Sequence, residues 1–465
     1  MSSTVWIDIE DLFAHANSGS TRPTGVQRFS FELCQALRAL PEARGLVRFV
    51  RHSVGQIGLV EVPWAEVSAA FRQMASRPPA APPPPEPEPR ERSPGKLRLL
   101  ARRRLPSGLR QPIGRYLALQ WLALVALAEL VAAPIRNRRR RRAEPDPLPA
   151  PAPQPPIGVP GDILLVPGAG WATPGQSEVV AWATTRGLRL ALLVYDLIPF
   201  RRPDLCDAEH VRSFRAWLDS LLPHCDRIFA ISHATAQDLR AHARTTRRPL
   251  AAVDVIPVGS ALQPVAPVAE APSRPLPAPG SYALFVSTLE ARKNHALLVG
   301  IWRRLREQLP PSELPTLVFA GRVGWMVNDL MQQLQNSNWL DGHIMLFEGP
   351  TDAELAALYR GCRFTLFPSL YEGWGLPVTE SLSFGKPCIA SNSTSLPEAG
   401  GGMVRYFDPE DMAEATRVVR AVIEDRDGLR AWEERIRREF RPIAWSESAE
   451  CLLRVLVAHA NTVEA

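Results

Sequence analysis

Short apolar runs, each followed by a turn and a stretch of helical periodicity, recur along most of this chain and leave few folds open to it. Val5–Ile9, Asp162–Val166, Leu190–Tyr195, Arg227–Ile231 and Ala252–Ile256 form one series. Tyr282–Val286, Thr316–Phe319, Ile344–Phe347, Phe364–Phe367, Cys388–Ala390 and Val404–Phe407 form another. Strands alternating with helices predict parallel sheets covered on both faces. A chain of 465 residues with two such series predicts two doubly wound α/β domains, joined by the proline-rich stretch 264–280.

The second series carries the residues that suggest chemistry. Phe367-Pro-Ser-Leu-Tyr-Glu372-Gly-Trp-Gly-Leu-Pro-Val-Thr-Glu380 sets two carboxylates eight residues apart, with Gly373, Gly375 and Pro377 between them. Glu372 is placed in a glycine loop at a strand's C-terminal end, where doubly wound folds bind ligands, and Glu380 on the helix that follows. The glycines let backbone amides approach a ligand, the helix N-terminus favours an anion, and a carboxylate there can accept hydrogen bonds from sugar hydroxyls. The plainer alternative is a helix cap and a surface acid. Arg292-Lys293-Asn294 lies between the strand ending at Val286 and the helix Ala296–Leu305, so two adjacent cations at a helix start suit a diphosphate.

Together these segments resemble the retaining glycosyltransferases of family 4, with their E-x7-E motif. Gly385-Lys-Pro-Cys-Ile-Ala-Ser391, Ser395-Leu-Pro-Glu398 and Phe285-Val-Ser-Thr-Leu-Glu-Ala-Arg-Lys-Asn294 are similar to that family's neighbouring motifs, and the likeness is densest over 282–410. It implies the GT-B fold: two Rossmann-like doubly wound domains facing across a cleft. On that frame 1–76 with 157–263 is an acceptor domain, 281–440 a nucleotide-sugar donor domain, and 441–465 a helix crossing back to the first. The activity implied is retaining, metal-independent transfer of a hexose from a nucleotide-diphosphate sugar to a glycan or lipid-linked acceptor, in bacterial cell-surface polysaccharide synthesis. Glu372 would hold the donor sugar's hydroxyls, Lys293 and Arg292 would neutralise the leaving diphosphate, and Glu380 would hold the ribose. Gly373, Trp374, Gly375 and Leu376 would complete the donor loop. Thr288 stands where many members carry a further Arg.

Other segments match more loosely. Gly25-Val-Gln-Arg28 resembles the glycine entry to the family's first helix, or is an ordinary helix start. Gly321-Arg322 follows a strand, which makes Arg322 either a donor contact or a peripheral residue. Tyr195-Asp196 stands where many relatives have His-Asp; Tyr195 can bond a sugar hydroxyl, but with an unperturbed pKa of about 10 it is a poor proton acceptor. His233, after the strand at 227–231, is either a substrate contact or structural. No cofactor and no metal is expected: the His are scattered, and Asp425-Arg-Asp427 lies on a charged helix end with no strand before it. A catalytically silent GT-B scaffold of a membrane-associated glycan assembly complex is the alternative, as is a phosphorylase or epimerase of the same fold.

The charge is uneven. Residues 90–142 hold fifteen Lys or Arg against Glu91 and Glu129, while the whole chain is only +6, so the remainder is mildly acidic and nucleic acid is not an expected partner. This segment lies in an insertion, 77–156, with proline-rich arms, an amphipathic stretch at 96–105 and an almost wholly apolar one at 116–133 closed by Arg136 and Arg138 to Arg142. It predicts a peripheral contact, through 96–142, with the anionic inner face of the cytoplasmic membrane, without spanning it. The start lacks a basic and apolar leader, and six Cys show no paired spacing, which fits a reducing cytoplasm.

Overall fold

The computed structural model describes residues 3–17, 23–53, 57–76, 157–173, 175–259 and 274–461. The insertion 77–156, with its predicted helices and membrane contact, lies outside the described residues, as does the linker up to 273.

The first lobe runs β1 (Val5–Asp8), α1 (Glu10–Asn17), α2 (Gly25–Ala39), β2 (Val47–His52), β3 (Leu59–Glu61), α3 (Trp64–Ser76), β4 (Ile163–Val166), α4 (Gln176–Thr185), β5 (Arg189–Val194), α5 (Ala208–Leu221), β6 (Cys225–Ala230), α6 (His233–Thr246) and β7 (Ala252–Val255). Its sheet has the order β3-β2-β1-β4-β5-β6-β7, parallel except where β3 runs against β2. The β2–β3 hairpin and α3 are additions to the sequence reading. Val47-Arg-Phe-Val-Arg-His52 alternates apolar and charged residues because it sits near the sheet edge, so it lacks the continuous apolar run that marked the buried strands.

The second lobe runs β8 (Tyr282–Val286), α7 (His295–Gln308), β9 (Thr316–Gly321), α8 (Asn328–Asn336), β10 (Ile344–Glu348), α9 (Asp352–Gly361), β11 (Phe364–Phe367), α10 (Leu376–Ser383), β12 (Cys388–Ser391), α11 (Leu396–Gly400), β13 (Arg405–Phe407), α12 (Met412–Glu424), α13 (Arg426–Glu439) and α14 (Trp445–Asn461). Its sheet is wholly parallel, in the order β10-β9-β8-β11-β12-β13. α13 starts at Arg426 because Asp425 caps it by accepting the Gly428 amide at 2.8 Å.

Both sheets reverse their winding beside the first strand of the lobe: between β1 and β4 in one, between β8 and β11 in the other. Such a reversal splays the connecting loops apart at the strands' C-terminal ends and leaves a crevice there. α14 belongs to the first lobe's core. Trp445, Ala449, Leu452 and Leu456 pack with Phe29, Leu33 and Leu37 of α2, and the Trp445 ring meets Phe29 edge-on at 5.0 Å. The second lobe's core is continuous from Phe285 and Trp302 to Trp432 and Ile436.

Candidate active site

The crevice between β8 and β11 is built from two loops. After β8, Glu290 and the short turn Ala291–Lys293 lead through Asn294, whose positive φ of 58° redirects the chain into α7. After β11, residues 368–375 lead into α10, with Gly375 at φ 118°. A side chain at Gly375 would put its Cβ 2.5 Å from Leu396, so this turn needs glycine for both conformation and space. The loops are stitched together by the Leu370 amide on the Arg292 carbonyl, 2.9 Å.

Glu372 stands between the two cations. One oxygen accepts from Lys293 Nζ at 2.5 Å and the other from Arg292 Nη1 at 2.7 Å. Arg292 also donates to the Tyr371 carbonyl at 2.7 Å and, through Nη2, to Glu290 at 2.6 Å. All are largely buried. Burial alone would raise the Glu372 carboxyl, but Arg292 and Lys293 outweigh it and hold it at about 2. Burial, reinforced by Arg292 beside it, lowers the Lys293 ammonium. Neighbouring His295 is pushed down to about 3 by burial and by Lys293, so it is a neutral imidazole. The arrangement is a charge-compensated cluster in which two cations, largely removed from water, are paired with two carboxylates.

Glu380 lies apart from this centre. It is buried on α10, accepts the Tyr359 hydroxyl at 2.9 Å, and has its carboxyl raised by burial, with Arg28 of the first lobe opposing. Trp374 and Leu376, both half-buried, pack against the first lobe's core, so these two residues of the expected donor loop also meet the opposite lobe. Gly373 lies tight against the first lobe: a Cβ there would lie 2.3 Å from the Tyr195 carbonyl oxygen. Arg322 is exposed at the end of β9, and its carbonyl accepts the Leu289 amide at 2.9 Å, which tethers the β9 loop to the β8 loop. Gly25 is exposed at the start of α2 with open space about it.

Of the residues expected on the sugar side, one has another role. The Tyr195 hydroxyl is buried, donating to the Pro167 carbonyl at 2.5 Å beside Ser30 Oγ at 2.9 Å; burial raises its phenol far above the ordinary value. It ties β5 to the β4 loop and is not offered to a sugar. His233 has an exposed side chain, and it is its backbone amide that is engaged, donating to Glu398 of the second lobe at 2.7 Å. Asp196 does face the centre. Burial raises its carboxyl, with Arg292 opposing and Glu372 adding to the rise, so it approaches the cation pair from across the cleft.

The crevice of the first lobe, between β1 and β4, holds a carboxylate group that the sequence reading passed over. Asp8 accepts the Glu10 amide at 3.0 Å and Gln176 Nε2 at 3.2 Å, and meets His52 Nε2 at 3.1 Å. Asp11 accepts the Ala169 amide at 3.1 Å, and burial lifts its carboxyl to about 6. Asp8 was visible at the end of Val5-Trp-Ile-Asp8, but its partners come from a hairpin and a helix remote in the sequence. Among the described residues no group of three or more His, Cys, Asp and Glu is arranged to hold a metal. Asp425 caps α13 and Asp427 pairs with Arg430 on the surface. A cavity of about 820 Å³ edged by Arg360, Arg363, Lys386, Arg426 and Arg430 opens at the other end of the second lobe's strands, away from these loops.

The fold and this geometry define an α/β protein of two doubly wound lobes with a charge-compensated ion cluster in the crevice of the second. Comparison with known proteins places that lobe: residues 270–439 match the family model described as Glycosyl transferases group 1, and the second lobe is a domain of that kind. Over 287 residues the chain is 27% identical to the "Serotype-specific mannosyltransferase WbdA" of Escherichia coli, covering 58% of this chain and 34% of the relative. Over 134 residues it is 37% identical to the "O-antigen chain mannosyltransferase B" of Escherichia coli, covering 28% of this chain and 34% of the relative. The chain thus spans about a third of the length of these relatives. Among solved structures, Anabaena Alr3699/HepE in complex with UDP and glucose aligns over 98% of this chain and 100% of its own, with a TM-score of 0.55 at 13% identity. A glycosyltransferase from Rickettsia africae ESF-5 aligns over 99% of both, with a TM-score of 0.53 at 13% identity. The fold is GT-B.

Proposed function

We propose that this protein is a retaining glycosyltransferase that moves a hexose, mannose first among the candidates, from a nucleotide-diphosphate sugar to a glycan or lipid-linked acceptor in surface-polysaccharide synthesis. The observation that carries the reading is Glu372 held between Lys293 and Arg292 at the reversal point of a glycosyl transferases group 1 domain. Named relatives acting as O-antigen mannosyltransferases support the choice of sugar and product.

Transfer requires a departing diphosphate to be stabilised while positive charge grows on the anomeric carbon. Fixed cations in a desolvated site do the first without reorganising. Lys293 and Arg292 would turn part of their charge from Glu372 to the phosphate oxygens. Glu372, held ionised, would then be free to accept the donor sugar's hydroxyls and to lie near the growing positive charge. The ribose falls to Glu380. Asp196, across the cleft, faces the acceptor side. The leaving diphosphate is the group placed to take the acceptor hydroxyl's proton, so no protein base and no metal is assigned. A silent scaffold is disfavoured because every one of these charged groups is present and paired.

The test is a donor screen of the full chain with GDP-mannose, UDP-glucose and related nucleotide sugars, with and without EDTA, following slow donor hydrolysis. GDP-mannose turnover indifferent to EDTA is expected. Loss on chelation that magnesium restores would overturn metal independence, and silence with every donor would overturn the reading. The insertion's membrane contact is tested by flotation on anionic against neutral liposomes, comparing the full chain with a 78–156 deletion. The full chain alone should float, on anionic vesicles.

A further inference from the structure

The loop carrying Glu372 is anchored on one helix of the opposite lobe, by residues to which the catalytic reading gives no part. Glu398 on α11 places both carboxylate oxygens on the first turn of α6, accepting the His233 amide at 2.7 Å and the Ala234 amide at 2.8 Å. Ser232 already caps that turn by accepting the Thr235 amide at 3.0 Å, so Glu398 satisfies amides that the helix's own cap leaves over. A carboxylate at a helix N-terminus also gains from the helix dipole. Further along α6, buried Asp238 binds Arg201 at 2.7 Å through one oxygen and accepts the Tyr371 hydroxyl through the other. Burial, then Asp238 itself, raises the Tyr371 phenol well above its ordinary value, so it stays a protonated donor.

Both anchors lead directly to Glu372. Tyr371 is its chain neighbour. The Glu398 segment holds its backbone: Thr394 Oγ1 accepts the Glu372 amide at 3.0 Å, and Ser395 Oγ donates to the Glu372 carbonyl at 3.0 Å and the Trp374 carbonyl at 2.9 Å. On the other side Gly373 sits against the Tyr195 carbonyl. Glu372 is therefore bracketed before and after by contacts to the first lobe, none of which involves the cations.

We propose that α6 is the seat that positions Glu372, with Glu398 and Tyr371 as positioning residues that couple contact between the lobes to the geometry of the donor site. This rests on the reading of Glu372 as the carboxylate that meets the donor sugar. A loop so held is in place when the lobes touch and loses its anchors when they part.

The experiment compares the full-length protein with its Glu398→Ala, Glu398→Gln and Tyr371→Phe variants by amide hydrogen exchange and by steady-state kinetics. In Glu398→Ala, exchange should rise about tenfold over 233–236 and over 368–376, the scale of one lost charge-assisted contact, while strand 282–286 stays unchanged. The turnover number should fall about tenfold with donor KM moving less than about threefold, the pattern of a lost orientation rather than a lost binding contact. Glu398→Gln, whose amide oxygen still accepts one N–H, should lie between, and Tyr371→Phe should loosen 368–376 while leaving 233–236 protected. Unchanged exchange over 368–376 in Glu398→Ala, or unchanged turnover with loosened exchange, overturns the proposal. If the wild type turns over no nucleotide sugar, the transferase reading fails by itself, and exchange over 368–376 decides the anchoring.

Discussion

The crevices of the two lobes occupy the same place in the same fold and carry opposite chemistry. In the second lobe, two buried cations meet two buried carboxylates, Glu372 and Glu290, and the balance keeps Glu372 ionised down to about pH 2. In the first lobe, Asp8 and Asp11 lie together with a histidine and a glutamine and, among the described residues, no Arg or Lys as a hydrogen-bond partner, and Asp11 holds its proton up to about pH 6. One crevice sets cations against carboxylates. The other gathers carboxylates with neutral hydrogen-bonding partners. Similar strand arrangements thus carry two different kinds of charge compensation, and the proposed division into a donor side and an acceptor side rests on that difference.

The contrast is broken most severely by removing the second lobe's ion set. Glu372→Ala and Lys293→Ala should each lower turnover by about a hundredfold or more, the scale of one preorganised electrostatic contact, with the fold kept because both lie in loops. Near-normal rates in either variant would dissolve the assignment of this crevice to the donor. A smaller effect is expected at Glu380: alanine should raise donor KM about tenfold, the worth of a hydrogen bond to a charged group, with turnover little changed. Titration of donor hydrolysis rates distinguishes the two.

The smallest effect tests the first lobe and is read in stability. Asp11 has a folded pKa of about 6, raised from 3.8, so the folded state binds the proton more tightly than the unfolded chain. The cost of keeping its ionised form buried is absent below pH 4, grows as pH rises towards 6, and is fully felt above that. Asp11→Asn should therefore raise the melting temperature at pH 8 by an amount worth on the order of 1–3 kcal/mol, and the gain should vanish near pH 4. A gain that is equal at both pH values would mean that the carboxyl is ionised throughout. Glu372 has the opposite sign, since its folded pKa is depressed: the stability it supplies is present above about pH 4.5 and is lost as pH falls towards 2.

The second lobe was legible to the sequence because its parts are local. Phe364–Phe367, the glycine loop and the helix to Ser383 are contiguous, and the cations Arg292 and Lys293 needed only the strand order β8-β11 to reach Glu372. Glu290, two residues before Arg292, went unread as its partner because a Glu beside an Arg is the commonest of surface patterns; only burial distinguishes it. The first lobe was less legible. Tyr195 read as a cleft residue because it stands where many relatives have a His, but the partner that fixes its hydroxyl is the carbonyl of Pro167, a backbone atom that no side-chain pattern announces. The hairpin at 47–61 gave no signal because an edge strand needs only one apolar face. Glu398 was seen as part of a motif, and its place on α6 depends on how two lobes meet, which no local periodicity encodes.

The return of α14 to the first lobe has a consequence for the making of the protein. Trp445 fills space that Gly259 leaves bare and closes the pocket over Phe29, so the first lobe's apolar interior is completed by side chains translated after the whole second lobe. A ribosome that has finished β7 has released a sheet whose α2 face is still uncovered, and it stays so while roughly two hundred further residues are added, for ten seconds or more at typical elongation rates. The second lobe can settle around its own core in that interval, but the first waits. The core of the lobe that is made first can therefore be closed only by a helix that is made after the second lobe.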